Sequence, residues 1–170
     1  MKNFLFIIDY TIIHATLRAT TPILLAAFAA VITQQANILN VGVEGIMLVG
    51  AFVAVYVSFI TGSWILAVLA AILAGMVIAA IIGIAHLKYK GDVFAVGTTI
   101  NLLALALTRF LLQELLGVSG SFTPKEISAI PKIHFKIFES NPVMNSLFNN
   151  YSLFEVLTVP LIFLFWFLLY

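Results

Sequence analysis

Gln34-Gln35-Ala36-Asn37-Ile38-Leu39-Asn40-Val41-Gly42-Val43-Glu44-Gly45 separates two apolar runs with amides, glycines and one carboxylate. The chain around it is 63% hydrophobic. In hydrocarbon every polar group has to find a partner, so irregular polar backbone between spans is tolerated only against protein or a watery cavity. The stretch therefore breaks the apolar sequence into separate helices and is the first place to look for function.

Composition explains why the surroundings are read as membrane. The chain has 170 residues, 9% of them charged, and a formal net charge of +1; its mean hydropathy is +1.17. In a soluble domain about a quarter of the residues are charged, so an integral membrane protein with several spans is expected. Eight basic and seven acidic residues form no basic patch, which excludes nucleic acid as a partner. There is no cysteine, which removes disulfides, thiolate metal sites and cysteine nucleophiles together.

Working outward, Thr20-Thr21-Pro22 reads as a helix start, because threonine can cap and proline is tolerated in the first turn. A first span is expected over 20–36. Before it, Phe4 to Leu17 is apolar but carries Asp9 and His14. At about 1.5 Å per residue it reaches roughly 20 Å, short of a bilayer core of about 30 Å. An N-terminal interfacial helix is expected there, and with no small-x-small cleavage site it is expected to stay in the mature chain.

Asn40 is expected to cap the next helix, which runs over 43–61 until Thr61-Gly62-Ser63 turns the chain. The third span, 64–86, starts at Trp64 and closes at Lys88 and Lys90. Its Ala71, Gly75, Ala79 and Gly83 recur every four residues, a stripe suited to close helix packing. Asp92 is expected to cap the fourth span, 93–116. Prolines, Asn, Ser and most of the remaining charge collect in 117–152, an aqueous loop in which Ile127 to Phe138 is expected to hold a short strand or helix. A fifth apolar run, 153–170, carries no flanking charge, so the chain is expected to be truncated within a helix. The expected fold is thus all-α, a polytopic membrane helix bundle of about five spans plus the interfacial helix.

Lys88 and Lys90 in a short turn belong in the cytoplasm by the positive-inside rule. The 34–40 break then faces the cytoplasm, and the 117–152 loop lies outside.

Few residues carry chemistry. His14, His86 and His134 sit on separate elements without metal-ligand spacing, and no catalytic dyad, triad or phosphate loop is present. No enzyme, metal or cofactor is expected. Glu44 stands close to the first turn of a span, where an unpaired carboxylate is costly unless wetted, paired or protonated. With Asn40, Gly42 and Gly45 it either shapes a broken helix bordering a transport path or stabilises the helix N-terminus facing headgroups. Thr98, Thr99 and Asn101 form a second polar cluster, which either bridges helices or lines a polar conduit. Arg109 either snorkels or pairs with Glu114.

These residues carry a resemblance. Residues 22–52, PILLAAFAAVITQQANILNVGVEGIMLVGAF, resemble the start of permease subunits of bacterial ABC importers for nucleosides and simple sugars, within the branched-chain amino acid permease family. Asn40, Gly42, Glu44, Gly45, Met47, Gly50, Ala51 and Phe52 match the family pattern. Gln34, Gln35 and Asn37 depart from it at a turn that is normally charged. The segment GDVFAVGTTINLLALALTRFL, residues 91–111, looks like the family's fourth-span region.

The resemblance implies a subunit without chemistry of its own, in a bacterial plasma membrane among membrane lipid. It implies a second permease subunit, cytoplasmic ATPase subunits and an extracytoplasmic binding protein or lipoprotein as partners, and Asn40, Gly42, Glu44, Gly45, Thr98, Thr99 and Asn101 as candidates for the substrate pathway. It also implies that the chain is an N-terminal portion, ahead of the segment that docks the ATPase. The alternative is a secondary transporter or channel with midplane polar sites at Glu44 and Asn101, which would need inverted repeats.

Overall fold

The computed structural model describes residues 2–120, 122, 127–128, 130–133 and 151–169. Its helices are α1 (Lys2–Gln35), α2 (Val43–Thr61), α3 (Trp64–Leu87), α4 (Val93–Leu116) and α5 (Leu153–Leu169). Two short strands, β1 (Lys132–Ile133) and β2 (Tyr151–Ser152), pair antiparallel with Lys132 opposite Ser152. Among the described residues, four helical stretches are long and apolar enough to cross a membrane: Ala15–Gln35, Val43–Thr61, Trp64–Leu87 and Val93–Leu116. At 17 residues α5 is apolar but shorter, reaching about 26 Å. Large apolar side chains such as Leu73, Met76, Leu102 and Phe167 are exposed along these helices, as expected of a surface whose solvent is lipid rather than water. The chain is an all-α, multi-pass membrane helix bundle.

The expected helix start at Thr20 is corrected. Helix α1 runs unbroken through Pro22, so the N-terminal arm and the first span are one helix. Proline withholds the N–H that would serve the Arg18 carbonyl, a loss that helices within a membrane bundle tolerate; beside it the Thr21 hydroxyl donates back to the carbonyl of Leu17 at 2.9 Å. The expected strand or helix within 127–138 is met by β1; the rest of that stretch lies outside the described residues.

The chain divides into two compact units. In the first, Ala29–Ala129, α2 and α3 form an antiparallel hairpin with small residues set against large ones. A methyl group on Gly42 would meet the tip of Ile82, one on Gly75 would lie 3.5 Å from Ile46, and one on Gly50 would lie 3.8 Å from the Ala71 carbonyl. Steps of four residues along α2 thus alternate with the α3 stripe, which allows close approach. Only its first half serves this seam; Gly83 has open space beside it. Gly62 ends α2 in the left-handed conformation at φ 63°, its N–H donating to the Ser58 carbonyl, a conformation glycine adopts without steric cost. Asp92 caps α4, accepting from the Ala95 N–H at 2.9 Å.

In the second unit, Met1–Phe28 with Ile130–Tyr170, α5 begins with a reciprocal cap. Glu155 accepts from the Ser152 N–H at 2.8 Å, and the Ser152 hydroxyl accepts from the Glu155 N–H at 3.4 Å, a capping box. Arg18 of α1 reaches the same carboxylate at 3.6 Å. Ten residues further along both helices, Phe28 and Phe165 stack with ring centroids 4.3 Å apart. The equal spacing makes α1 and α5 parallel neighbours.

Candidate functional site

The break between α1 and α2 is built from its two ends. Helix α1 closes with Asn37 at φ 60°; the Asn37 N–H donates to Gln34 O at 2.9 Å and the Ile38 N–H to Thr33 O at 3.0 Å. These are the two bonds of a Schellman closure, with asparagine in the left-handed position. Leu39 and Val41 then form a tight turn, the Val41 N–H donating to Leu39 O at 3.1 Å.

Helix α2 starts at Gly42, not at the expected Asn40. Gly42 is the N-cap and supplies no side-chain hydrogen bond. Val41 and Gly42 lie in the turn rather than the helix, so Asn40 stands too early to cap it. Its Oδ1 is buried and makes no hydrogen bond among the described residues.

The acceptor missing from the N-cap comes from another helix. Asn101 Oδ1 accepts from the Gly45 N–H at 2.7 Å, and Asn101 Nδ2 donates to Val41 O at 3.0 Å. An amide donor and a carbonyl acceptor as partners fix which end of the Asn101 amide is which. Two glycines admit the approach. A methyl on Gly45 would come within 2.9 Å of Asn101 Oδ1 and 3.1 Å of Ile100 O, and one on Gly97 within 2.6 Å of Val41 Cβ and 3.0 Å of Gly42 N.

The two polar clusters expected from the sequence are thus brought together at the paired N-terminal ends of α2 and α4. Gly42, Gly45 and Gly97 are buried there, whereas Glu44, Thr98 and Thr99 are exposed. The Glu44 carboxylate has no ion pair or hydrogen bond among the described residues, and it sits in the first turn of α2, where the helix dipole favours negative charge. The Thr98 hydroxyl donates back to Phe94 O at 2.7 Å. Nearby, the His86 ring bonds through Nδ1 to Gly91 O at 2.9 Å, and the Gly91 N–H donates to Ala85 O at 3.0 Å, closing the turn that carries Lys88 and Lys90. Since a carbonyl only accepts, Nδ1 carries the proton.

Sequence reasoning missed a second feature. A cavity of ≈320 Å³ lies between the middle of α2 and the C-terminal half of α4, with Phe52, Thr108 and Arg109 in its lining and Phe122 of the following loop also lining it. Phe122 meets Phe59 edge-on at 5.3 Å, and the buried Ser58 hydroxyl donates to Ser128 O at 3.3 Å, holding the loop to α2. Arg109 forms no ion pair with Glu114; both are exposed. Among the described residues, no three His, Asp or Glu side chains gather to hold a metal.

Comparison with known proteins places this architecture. The profile of the family described as branched-chain amino acid transport system / permease component matches residues 12–170. The guanosine ABC transporter permease protein NupQ of Bacillus subtilis is 29% identical over 94% of this chain and 51% of its own length. The putative glucose ABC transporter permease protein TsgC13 of Haloferax volcanii is 29% identical over 94% of this chain and 47% of its own. The nucleoside ABC transporter permease protein NupC of Lactococcus lactis subsp. cremoris is 34% identical over 55% of this chain and 32% of its own. The chain spans about half the length of the first two. No solved structure matches. The match across residues 12–170, on a bundle of apolar helices interrupted by a clamped polar break, shows that the chain belongs to the branched-chain amino acid transport system permease family.

Proposed function

We propose that the chain forms part of a membrane permease of an ABC importer that carries nucleosides or simple sugars across a bacterial plasma membrane. The observation that carries this is the family match over residues 12–170, supported by relatives named for guanosine, glucose and nucleoside transport. The partners are a second permease subunit, cytoplasmic ATPase subunits and an extracytoplasmic binding protein or lipoprotein. The chain itself performs no covalent chemistry; it forms part of the wall of a path that opens alternately to either side.

Of the candidate pathway residues, Glu44, Thr98 and Thr99 are the ones left exposed by the helix packing. They contribute the polar wall near one membrane face. Asn40, Gly42 and Gly45 shape the break that holds them.

The test is uptake of labelled guanosine and glucose into cells producing the permease with its neighbouring subunits, together with affinity capture from the native membrane. ATP-dependent uptake and recovery of an ATPase subunit are expected. Uptake that collapses with an ion gradient while ATP persists, and capture without any ATPase, would overturn the proposal in favour of a secondary transporter.

A further inference from the structure

We propose that Asn101 is a positioning residue rather than a solute ligand: it caps α2 from the neighbouring helix, so that Val41–Gly45 and the start of α4 move as one body. The transport half of this rests on the proposed function; the cap itself does not.

A helix start leaves its first N–H groups without intrahelical acceptors. The side chain at the N-cap ordinarily serves the N–H two or three positions on. Here the N-cap is Gly42, which has no side chain, and the N–H three positions on is that of Gly45. Asn101 Oδ1 takes that N–H at 2.7 Å, from 56 residues away in the sequence. Its other arm donates to Val41 O at 3.0 Å, from 60 residues away. One amide thus satisfies a donor inside the helix and an acceptor in the break just before it.

Surroundings raise the cost of losing either bond. Gly45 is buried, Ile100 beside Asn101 is 8% exposed, and the helices approach closely enough that neither Gly45 nor Gly97 has room for a methyl group. With so little room beside these groups, an unmade bond leaves much of the desolvation cost of the orphaned group standing. Turning the amide toward a solute would orphan the Gly45 N–H and the Val41 carbonyl together. A side chain committed in this way holds geometry for its neighbours, and Glu44 stands in the very turn it holds.

Hydrogen exchange followed by mass spectrometry on the purified chain in lipid nanodiscs reads the cap directly. Asn101→Ala is expected to speed exchange of the amides in 43–46 by about tenfold, the equivalent of one lost hydrogen bond. Asn101→Asp keeps the acceptor for Gly45 but places a carboxylate against Val41 O, so it is expected to fall between wild type and Asn101→Ala. It also serves as the readable variant should Asn101→Ala fail to fold, as judged by its helical circular dichroism. Unchanged exchange in both folded variants would overturn the cap. In uptake by the complete transporter, a positioning role predicts a lower maximal rate with KM little changed. A raised KM at an unaltered maximal rate would show that Asn101 touches solute and overturn the positioning role. If wild-type uptake is absent while exchange still responds, the proposed function fails and the cap stands.

Discussion

Glycines around the α2 start look alike in the sequence but differ in what a methyl group would strike. At Gly97 it would press on Val41 Cβ at 2.6 Å and on backbone atoms at 3.0 Å, none of which can swing aside. At Gly42 it would meet the tip of the Ile82 side chain, which can rotate, and Gly42 has φ −81°, a value open to any residue. Gly97→Ala is therefore expected to lose about 1–3 kcal/mol through overpacking, and Gly42→Ala about 1 kcal/mol or less. Thermal unfolding in detergent, followed by circular dichroism, orders the two; equal losses would mean that α4 does not approach the break as described. At this scale the sequence carries the residue types but not their partners. Asn101 is visible as a polar residue within a span, yet nothing local says that it faces Gly45. Asn40 attracts the cap assignment because asparagine is a good cap, while the turn at Val41 and Gly42 delays the helix past it.

Helix boundaries are more legible, because punctuation is local. Gly62 and Asp92 stand where a left-handed turn and a cap are found, and both follow from the chemistry of those residues. Pro22 is the exception: the same local rule suggests a helix start, yet the helix continues through it. The α5 start was also open to local reading, since Ser152 and Glu155 have the spacing of a capping box, but its third member, Arg18, lies far away in sequence. Glu155 serves both the Ser152 N–H and the Arg18 guanidinium, whereas Arg18 is half exposed and its pair is screened by solvent. Glu155→Ala is expected to destabilise by roughly 1–2 kcal/mol, and Arg18→Ala by less; the reverse order in thermal unfolding would mean that the ion pair outweighs the cap. Burial and then the Glu155 charge push the Tyr151 phenol above its ordinary value, because both disfavour the phenolate. A raised folded value means that the stabilisation is complete below the unfolded value of about 10 and is lost as pH climbs through the folded one. In an absorbance titration of phenolate, Tyr151→Phe should remove a late-titrating component; loss of an early one would contradict the burial.

For the whole molecule, the parallel pairing of α1 and α5 limits the topology. Arg18 with Glu155 and Phe28 with Phe165 put the start of the apolar stretch Ala15–Gln35 of α1 and the start of α5 at one membrane face. Between the end of α1 and the start of α5 the chain must then cross an odd number of times, and α2, α3 and α4 supply three crossings. The three crossings were legible in the sequence as apolar lengths; which helices lie side by side was not. The count leaves open which face is cytoplasmic, and that choice rests on Lys88 and Lys90 in the α3–α4 turn. The two arguments can be separated, because the chain has no cysteine and single introduced cysteines report cleanly. Lys90 and Ser119 are both exposed and lie beyond opposite ends of α4. In intact cells, Ser119→Cys is expected to react with a membrane-impermeant maleimide, and Lys90→Cys only after the membrane is opened. Labelling of both from the same side would break the crossing count. The reversed pattern would keep the count but turn the molecule over, moving the clamped break with Glu44 and Asn101 from the cytoplasmic side of the membrane to the outer side.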